Sequence, residues 1–348
     1  MKTLNLKHVL LFLGIAFLTS CSTPLLFTSL DVLRPAKVSF DPNSNNLLLV
    51  NNTIVQPASY GHKTQLYNEK QRNVNVHCDS LALLCLSALN EEMENRDFFS
   101  TIQFLPNSVN KGYDYYNSAR MSKETVQSLC KTNESNVILS LDRIKVNDEL
   151  NEYLIPENSS YLASLGAIIE TTWSIRYPNK DEMIPIIFND TLYWESNEIN
   201  RKEAMKRLPD RANALKDIAL EAGRKSIDRF VPHWDKVTRY FFNSNNKSMK
   251  KGMDSLYVKN WASAIDIWKN AYATGSEKIK AQAANNISIT YEIIGELNSA
   301  VEFATLAYKS AVQQTIPDYN SINRIFNYVS ELLRRKSEIE TLKKQVGE

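Results

Sequence analysis

The sequence predicts two kinds of domain in one chain: an α/β sandwich with a mixed sheet, followed by an all-helical repeat. Three observations carry this. Residues 161–177 place an apolar, small or aromatic residue at every odd position, with Ser164, Glu170, Thr172, Ser174 and Arg176 between them. That alternation is the period of a strand with one wet face. Before it, strand-like and helix-like segments interleave, the order expected of a sheet with helices packed on it. From Ser248 onward no strand pattern recurs, and Gly252, Ala264 and Ala271 are followed 36 residues later by Ser288, Ala300 and Ala307. Small residues at a fixed spacing of this length mark a stacked helical repeat.

The chain opens MKTLNLK, with Lys2, Lys7 and no acid, and continues with an apolar run from Val9 to Leu18. A basic start, a short apolar core and a small-residue cut site make a secretory leader over residues 1–20. The core is about ten residues, against about twenty needed to span a bilayer as a helix. Leu18-Thr19-Ser20-Cys21 resembles the lipobox of bacterial lipoproteins. The resemblance implies that Cys21 is lipidated, that the leader is cut before it and that the new amine is acylated. Several acyl chains anchor stably where one does not, at ~0.8 kcal/mol per buried methylene. Ser22, Thr23 and Pro24 follow with no aspartate, which by the sorting rule of such lipoproteins implies an outer-membrane location facing the periplasm. Residues 21–35 read as a lipidated tether.

Loss of residues 1–20 removes two lysines and no acid, so the net charge of +2 falls to zero. A neutral chain has no electrostatic footprint for nucleic acid. Cys78, Cys85 and Cys130 remain. Cys78 and Cys85 lie roughly 10 Å apart along one predicted helix, beyond disulfide reach. Cys85 and Cys130 sit on apolar helix faces, as two buried thiols or as a pair bridged across a core.

The α/β domain is expected over 36–240. NNLLLVNN (45–52) reads as a buried strand, and 53–75 as an irregular surface excursion. A helix follows over 78–95, capped by Asp79 or Ser80, with Leu81, Leu84, Cys85, Ala88 and Leu89 as its buried stripe. Then come a strand (98–106), a short helix capped by Ser122 (122–130) and a strand (136–144). Residues 161–177 and 183–194 form a long hairpin, the second strand carrying Ile184, Ile186, Phe188, Leu192 and Trp194 on one face. Pro209 starts a helix that Pro232 ends, and Ala222 and Gly223 are expected to bring it close to the sheet. VPHWDKVTR (231–239) reads as a linker that buries Trp234. The chain is expected to divide at 240–248, where FFNSNNKS loses hydrophobic pattern.

Helices are expected over 248–340. NNISITYEIIGELNSAVEFATLAYKSA (285–311) resembles a tetratricopeptide repeat through Ile287, Tyr291, Gly295, Ala300 and Ala307, and 252–271 matches more weakly. The 36-residue period exceeds the ~34 of that family, so the connecting turn is longer. An amphipathic helix near 319–337 (Ile322, Ile325, Phe326, Val329, Leu332, Leu333) caps the stack. By the resemblance, Met253, Tyr257, Asn285, Ile289 and Glu292 line a groove for a protein partner.

The lipobox, LLLVNN, LCKTNESNVILSLD, EAGRKSIDRFVPHWDKVTRYFF and the helical tail together resemble cell-envelope lipoproteins of Bacteroidota, assigned to a family of unknown function. The first domain is more faintly similar to the periplasmic domain of the curli-secretion channel lipoprotein. The resemblance supplies no catalytic residues.

No metal-binding pair at helical spacing occurs, EAGRKS lacks the glycine spacing of a phosphate loop, and neither G-x-S-x-G nor H-E-x-x-H is present. No cofactor, metal or catalytic set is expected. His77-Cys78-Asp79 sketches a thiol site, but adjacent residues point apart. Asp142 and Glu170, on neighbouring strands, are the candidate carboxylate pair of a glycan or peptide hydrolase. The alternating hairpin raises a channel subunit as another alternative. The leading expectation is a non-enzymatic adaptor, lipid-anchored in the envelope, that binds a protein through its helical repeats.

Overall fold

The computed structural model describes residues 24–112, 114–116, 121–181 and 183–347. The leader and Cys21 lie outside the described residues. An N-terminal mixed-sheet region precedes an all-helical C-terminal region, and the described residues form two compact units: Pro35–Pro232 with 344–347, and 24–34 with His233–Lys343.

The first strand, β1 (Leu25–Arg34), belongs to the helical unit. The sheet unit begins with β2 (Asn46–Asn51), whose neighbours are β5 (Thr101–Leu105) and β6 (Val137–Ile155), both parallel to it. Its four central residues, Leu47 to Val50, are fully buried, as a short apolar run between asparagines requires. The stretch 53–75 is not irregular throughout. It holds β3 (His62–Gln65) and the two-residue β4 (Arg72–Asn73), and β3 pairs parallel with the far half of β6. Sequence pattern missed β3 because its inward residues, His62 and Thr64, are polar. β6 therefore runs well past Ile144. It pairs antiparallel with β7 (Ser160–Arg176), and β7 with β8 (Ile184–Glu198), which realises the long hairpin.

Helix α1 (Leu81–Arg96) and α4 (Arg211–Phe230) cover one face of this sheet, and α2 (Lys123–Thr132) lies on the other. Ser122 caps α2 by accepting from Thr125 N–H at 3.2 Å. Ser80 precedes α1 without a side-chain cap bond. A six-residue helix α3 (Arg201–Lys206) escaped the sequence reading, and α4 starts after Asp210, which caps Ala212 and Asn213, not at Pro209. Leu47 and Leu49 face the α1/α4 core, whereas Leu48 and Val50 face α2. Cys85 belongs to the first cluster and Cys130 to the second, so the sheet separates them and both are free thiols. Gly223 serves a close approach, but to helix α1: a β-carbon there would stand 2.1 Å from the Cys85 carbonyl oxygen.

In the other unit, residues 24–34 are no tether. β1 pairs along its whole length with β9 (His233–Phe242), antiparallel from Leu25↔Phe242 to Arg34↔His233. The division accordingly falls at Pro232/His233, not at 240–248, and Trp234 is 68% exposed on a strand instead of buried in a linker. Five helices follow: α5 (Lys247–Tyr257), α6 (Trp261–Thr274), α7 (Glu277–Ile293), α8 (Leu297–Val312) and α9 (Tyr319–Val346). The small residues of the repeat sit where helices touch. Ala264, Ala271, Ala300 and Ala307 are buried, Ser288 donates to the Ala300 carbonyl at 2.6 Å, and a β-carbon on Gly252 would stand 2.1 Å from Trp268 Nε1.

Candidate functional site

The expected groove residues are not an open surface. Met253, Asn285, Ile289 and Glu292 are buried, and only Tyr257 is exposed, at 61%. Asn285 and Glu292 are engaged by the chain's own β9. An edge strand presents unpaired amides, and α7 supplies their partners. Asn286 accepts from Phe242 N–H at 2.8 Å and donates to the Phe242 carbonyl at 2.9 Å, completing both bonds of that residue. Asn285 donates to the Tyr240 carbonyl at 3.1 Å. One turn and a half further on, Glu292 receives the Arg239 guanidinium in two bonds of 2.7 and 2.9 Å, and the Tyr328 hydroxyl at 2.9 Å. Arg335 also reaches Glu292. From β1, Arg34 reaches Glu331 and Glu338 of α9. Burial, with the Glu292 charge beside it, pushes the Tyr328 hydroxyl well above the usual phenol range. Burial works against ionisation of Glu331, yet its bonds to Arg34 and Arg334 win and lower its pKa.

A second cluster lies in the sheet unit. His62 Nδ1 bonds Asp148, the other ring nitrogen lies 3.7 Å from Cys78 Sγ, and Arg211 closes on the second Asp148 oxygen at 2.7 Å. The row is thiol, imidazole, carboxylate, guanidinium, the order in which a base-activated thiol is built. Its chemistry here is different. Cys78 is 4% exposed. Burial, then the charges of Asp148 and Asp79, push its thiol up to about 11, so it is a neutral donor. The row ties β3, the approach to α1 and β6 together. His77 and Asp79 point outward, as adjacency required. His62 and Asp148 lie far from Cys78 in sequence, and no local pattern joins them.

Asp142 and Glu170, the carboxylates of the hydrolase alternative, have separate surroundings. Asp142, at the β6 bulge, accepts from Asn52, Ser140 and Ser174 at 2.8, 2.7 and 2.5 Å, while Glu170 stands opposite Lys145 and Asn189. Among the described residues no three His, Cys, Asp or Glu side chains converge as a metal site.

An apolar stripe is left open on α9. Ile325, Tyr328 and Leu332 are buried, yet Tyr319, Phe326 and Leu333 are 72, 51 and 50% exposed. With half-buried Ile322 and Val329 they recur at the alternating spacing of three and four that forms one stripe on a helix. Ile316, 85% exposed, precedes the stripe, and the Tyr308 ring of α8 flanks Phe326 at 5.6 Å.

Residues 44–242 match the family described as Domain of unknown function (DUF8603), over more than half of the chain. The chain belongs to the DUF8603 family. Residues 250–334 match a second description, Domain of unknown function (DUF6340). No curated protein matches. Of solved structures, a neuraminyllactose-binding hemagglutinin homolog from Helicobacter pylori is similar at 11% identity and a TM-score of 0.26, over 54% of this chain and 81% of that one. An uncharacterized protein is similar at 12% and 0.23, over 55 and 94%. Scores this low bear on neither fold nor activity.

The DUF8603 segment ends at Phe242, the last residue of β9, and so runs past the sheet unit. It contributes the strand, with Arg239, Tyr240 and Phe242. The DUF6340 segment contributes Asn285, Asn286, Glu292 and Glu331 that hold it. The two family segments are thus interlocked inside one folded unit.

Proposed function

We propose that this DUF8603 protein is a lipid-anchored adaptor of the cell envelope. Cys21 carries the lipid in the outer membrane, and the tetratricopeptide-like helices hold a protein partner on the periplasmic side. The resemblances to Bacteroidota envelope lipoproteins and to the curli-channel lipoprotein support the same compartment. One observation carries the adaptor reading: helix α9 leaves Tyr319, Phe326 and Leu333 open. A helix face with nothing packed on it is ordinarily polar. An apolar stripe there fits an amphipathic helix of a partner. The docking surface is therefore the outer face of α9, and not the face of α7 that β9 occupies.

The test is in-cell photocrosslinking from position 326, with Leu333→Glu as the companion variant. The expected result is one discrete heterologous adduct that Leu333→Glu abolishes while thermal unfolding is unchanged. An adduct with a second copy of this chain would make α9 a self-interface, and no adduct would remove the adaptor reading.

A further inference from the structure

We infer that the end of the β1–β9 ribbon nearest residue 24 seats directly on the phospholipid surface, so that the helical unit is held against the membrane instead of hanging from a tether. This rests on the lipid-anchor reading of Cys21. The Pro24 carbonyl accepts from Asn243 N–H at 2.9 Å, and Leu25 is already in register with Phe242. The ribbon thus includes Pro24, three residues after the proposed anchor. Three residues reach at most ~11 Å when fully extended. The polar layer on each side of a bilayer is itself roughly 5–8 Å deep, from a total of about 40–45 Å around a 30 Å core. A cysteine acylated at that layer leaves no room for a free linker.

The side chains at this end suit a headgroup layer. Phe27, 59% exposed and two residues into β1, is an aromatic free to enter the acyl boundary. Beyond Phe242, the exposed lysines 247, 250 and 251 begin α5. An exposed aromatic and clustered lysines near one end of the ribbon are the composition that binds anionic phospholipid. The other end of the ribbon supplies an internal control. Trp234 lies on the same face as Phe27, because it pairs with Leu33, an even six residues beyond Phe27 along β1, and that span is roughly 20 Å at ~3.3 Å per residue.

The full chain, expressed with its leader, is reconstituted in vesicles of phosphatidylethanolamine and phosphatidylglycerol with a photoreactive phenylalanine at position 27 or, separately, at 234. Mass spectrometry of the N-terminal peptide reports the state of Cys21 in the same sample. The expected result is a lipid adduct at 27 at least five-fold above that at 234. Charge reversal (Lys247→Glu with Lys250→Glu and Lys251→Glu) lowers it several-fold in these vesicles but not in pure phosphatidylcholine. Acylated Cys21 with no adduct at 27, or with equal adducts at both positions, overturns the seating while leaving the anchor intact. Adducts indifferent to the lysines overturn their part in it. An unmodified Cys21 overturns the anchor and the seating together.

Discussion

Replacing Asn286 by alanine tests whether α7 holds β9 through one amide side chain. Asn286 is fully buried and supplies both bonds to Phe242. Alanine leaves a backbone donor and a backbone acceptor without partners, at ~1–3 kcal/mol each. Water reaching the strand edge recovers part of this, so a loss of about 3 kcal/mol in the local stability of the ribbon is expected. At about 1.4 kcal/mol per decade, that is on the order of 100-fold. Hydrogen exchange with peptide-level mass spectrometry reads it directly. Amides of 233–242 and 25–34 should exchange on the order of 100-fold faster, because opening β9 also opens β1. Amides of β2 and β6 should not change. Asn298→Ala, an exposed asparagine of α8, serves as the neutral control. Unchanged protection across 233–242 in Asn286→Ala would refute the reasoning and return the α7 face to the status of an available groove.

Glu292→Ala should cost about 3–5 kcal/mol, because it strands the buried Arg239 guanidinium; urea unfolding followed by helix signal checks this, and a neutral outcome would mean Arg239 finds solvent. Gly223→Ala should destabilise the sheet unit by about 1–3 kcal/mol through overpacking, since its β-carbon meets the α1 backbone; a thermal midpoint at the wild-type value would contradict that contact. Glu331 has a lowered pKa in the folded chain, so its contribution is present above its ordinary value of 4.5 and is lost as pH falls through the lower folded value. Glu331→Gln should therefore remove part of the acid sensitivity of the helical unit below pH 4.5, measured by circular dichroism. Cys78, with its thiol pushed up to about 11, should alkylate with iodoacetamide at pH 8 far more slowly than a free cysteine; labelling at the free-thiol rate would show that the His62 row activates it.

Much of the fold was legible because its signals are local. Alternation over 161–177 specified β7 down to which residues face the core, the apolar run between asparagines specified β2, and Ser122 marked the start of α2. The 36-residue recurrence of small residues marks the buried helix contacts at Ala264 and Ala300. Each of these depends on a residue and its neighbours within a turn or a strand. The pairings that decide the candidate sites join residues far apart in the chain: β1 with β9, His62 with Asp148, Asn286 with Phe242. No periodicity within one segment encodes its distant partner. The sequence therefore determined that α7 has an inner face and that α9 is amphipathic. Only the tertiary structure decided that a strand of the same chain fills the first. It likewise decided that Ile325, Tyr328 and Leu332, and not Phe326 and Leu333, face the core, because α9 carries enough apolar residues for two faces and one neighbouring layer can bury only one of them.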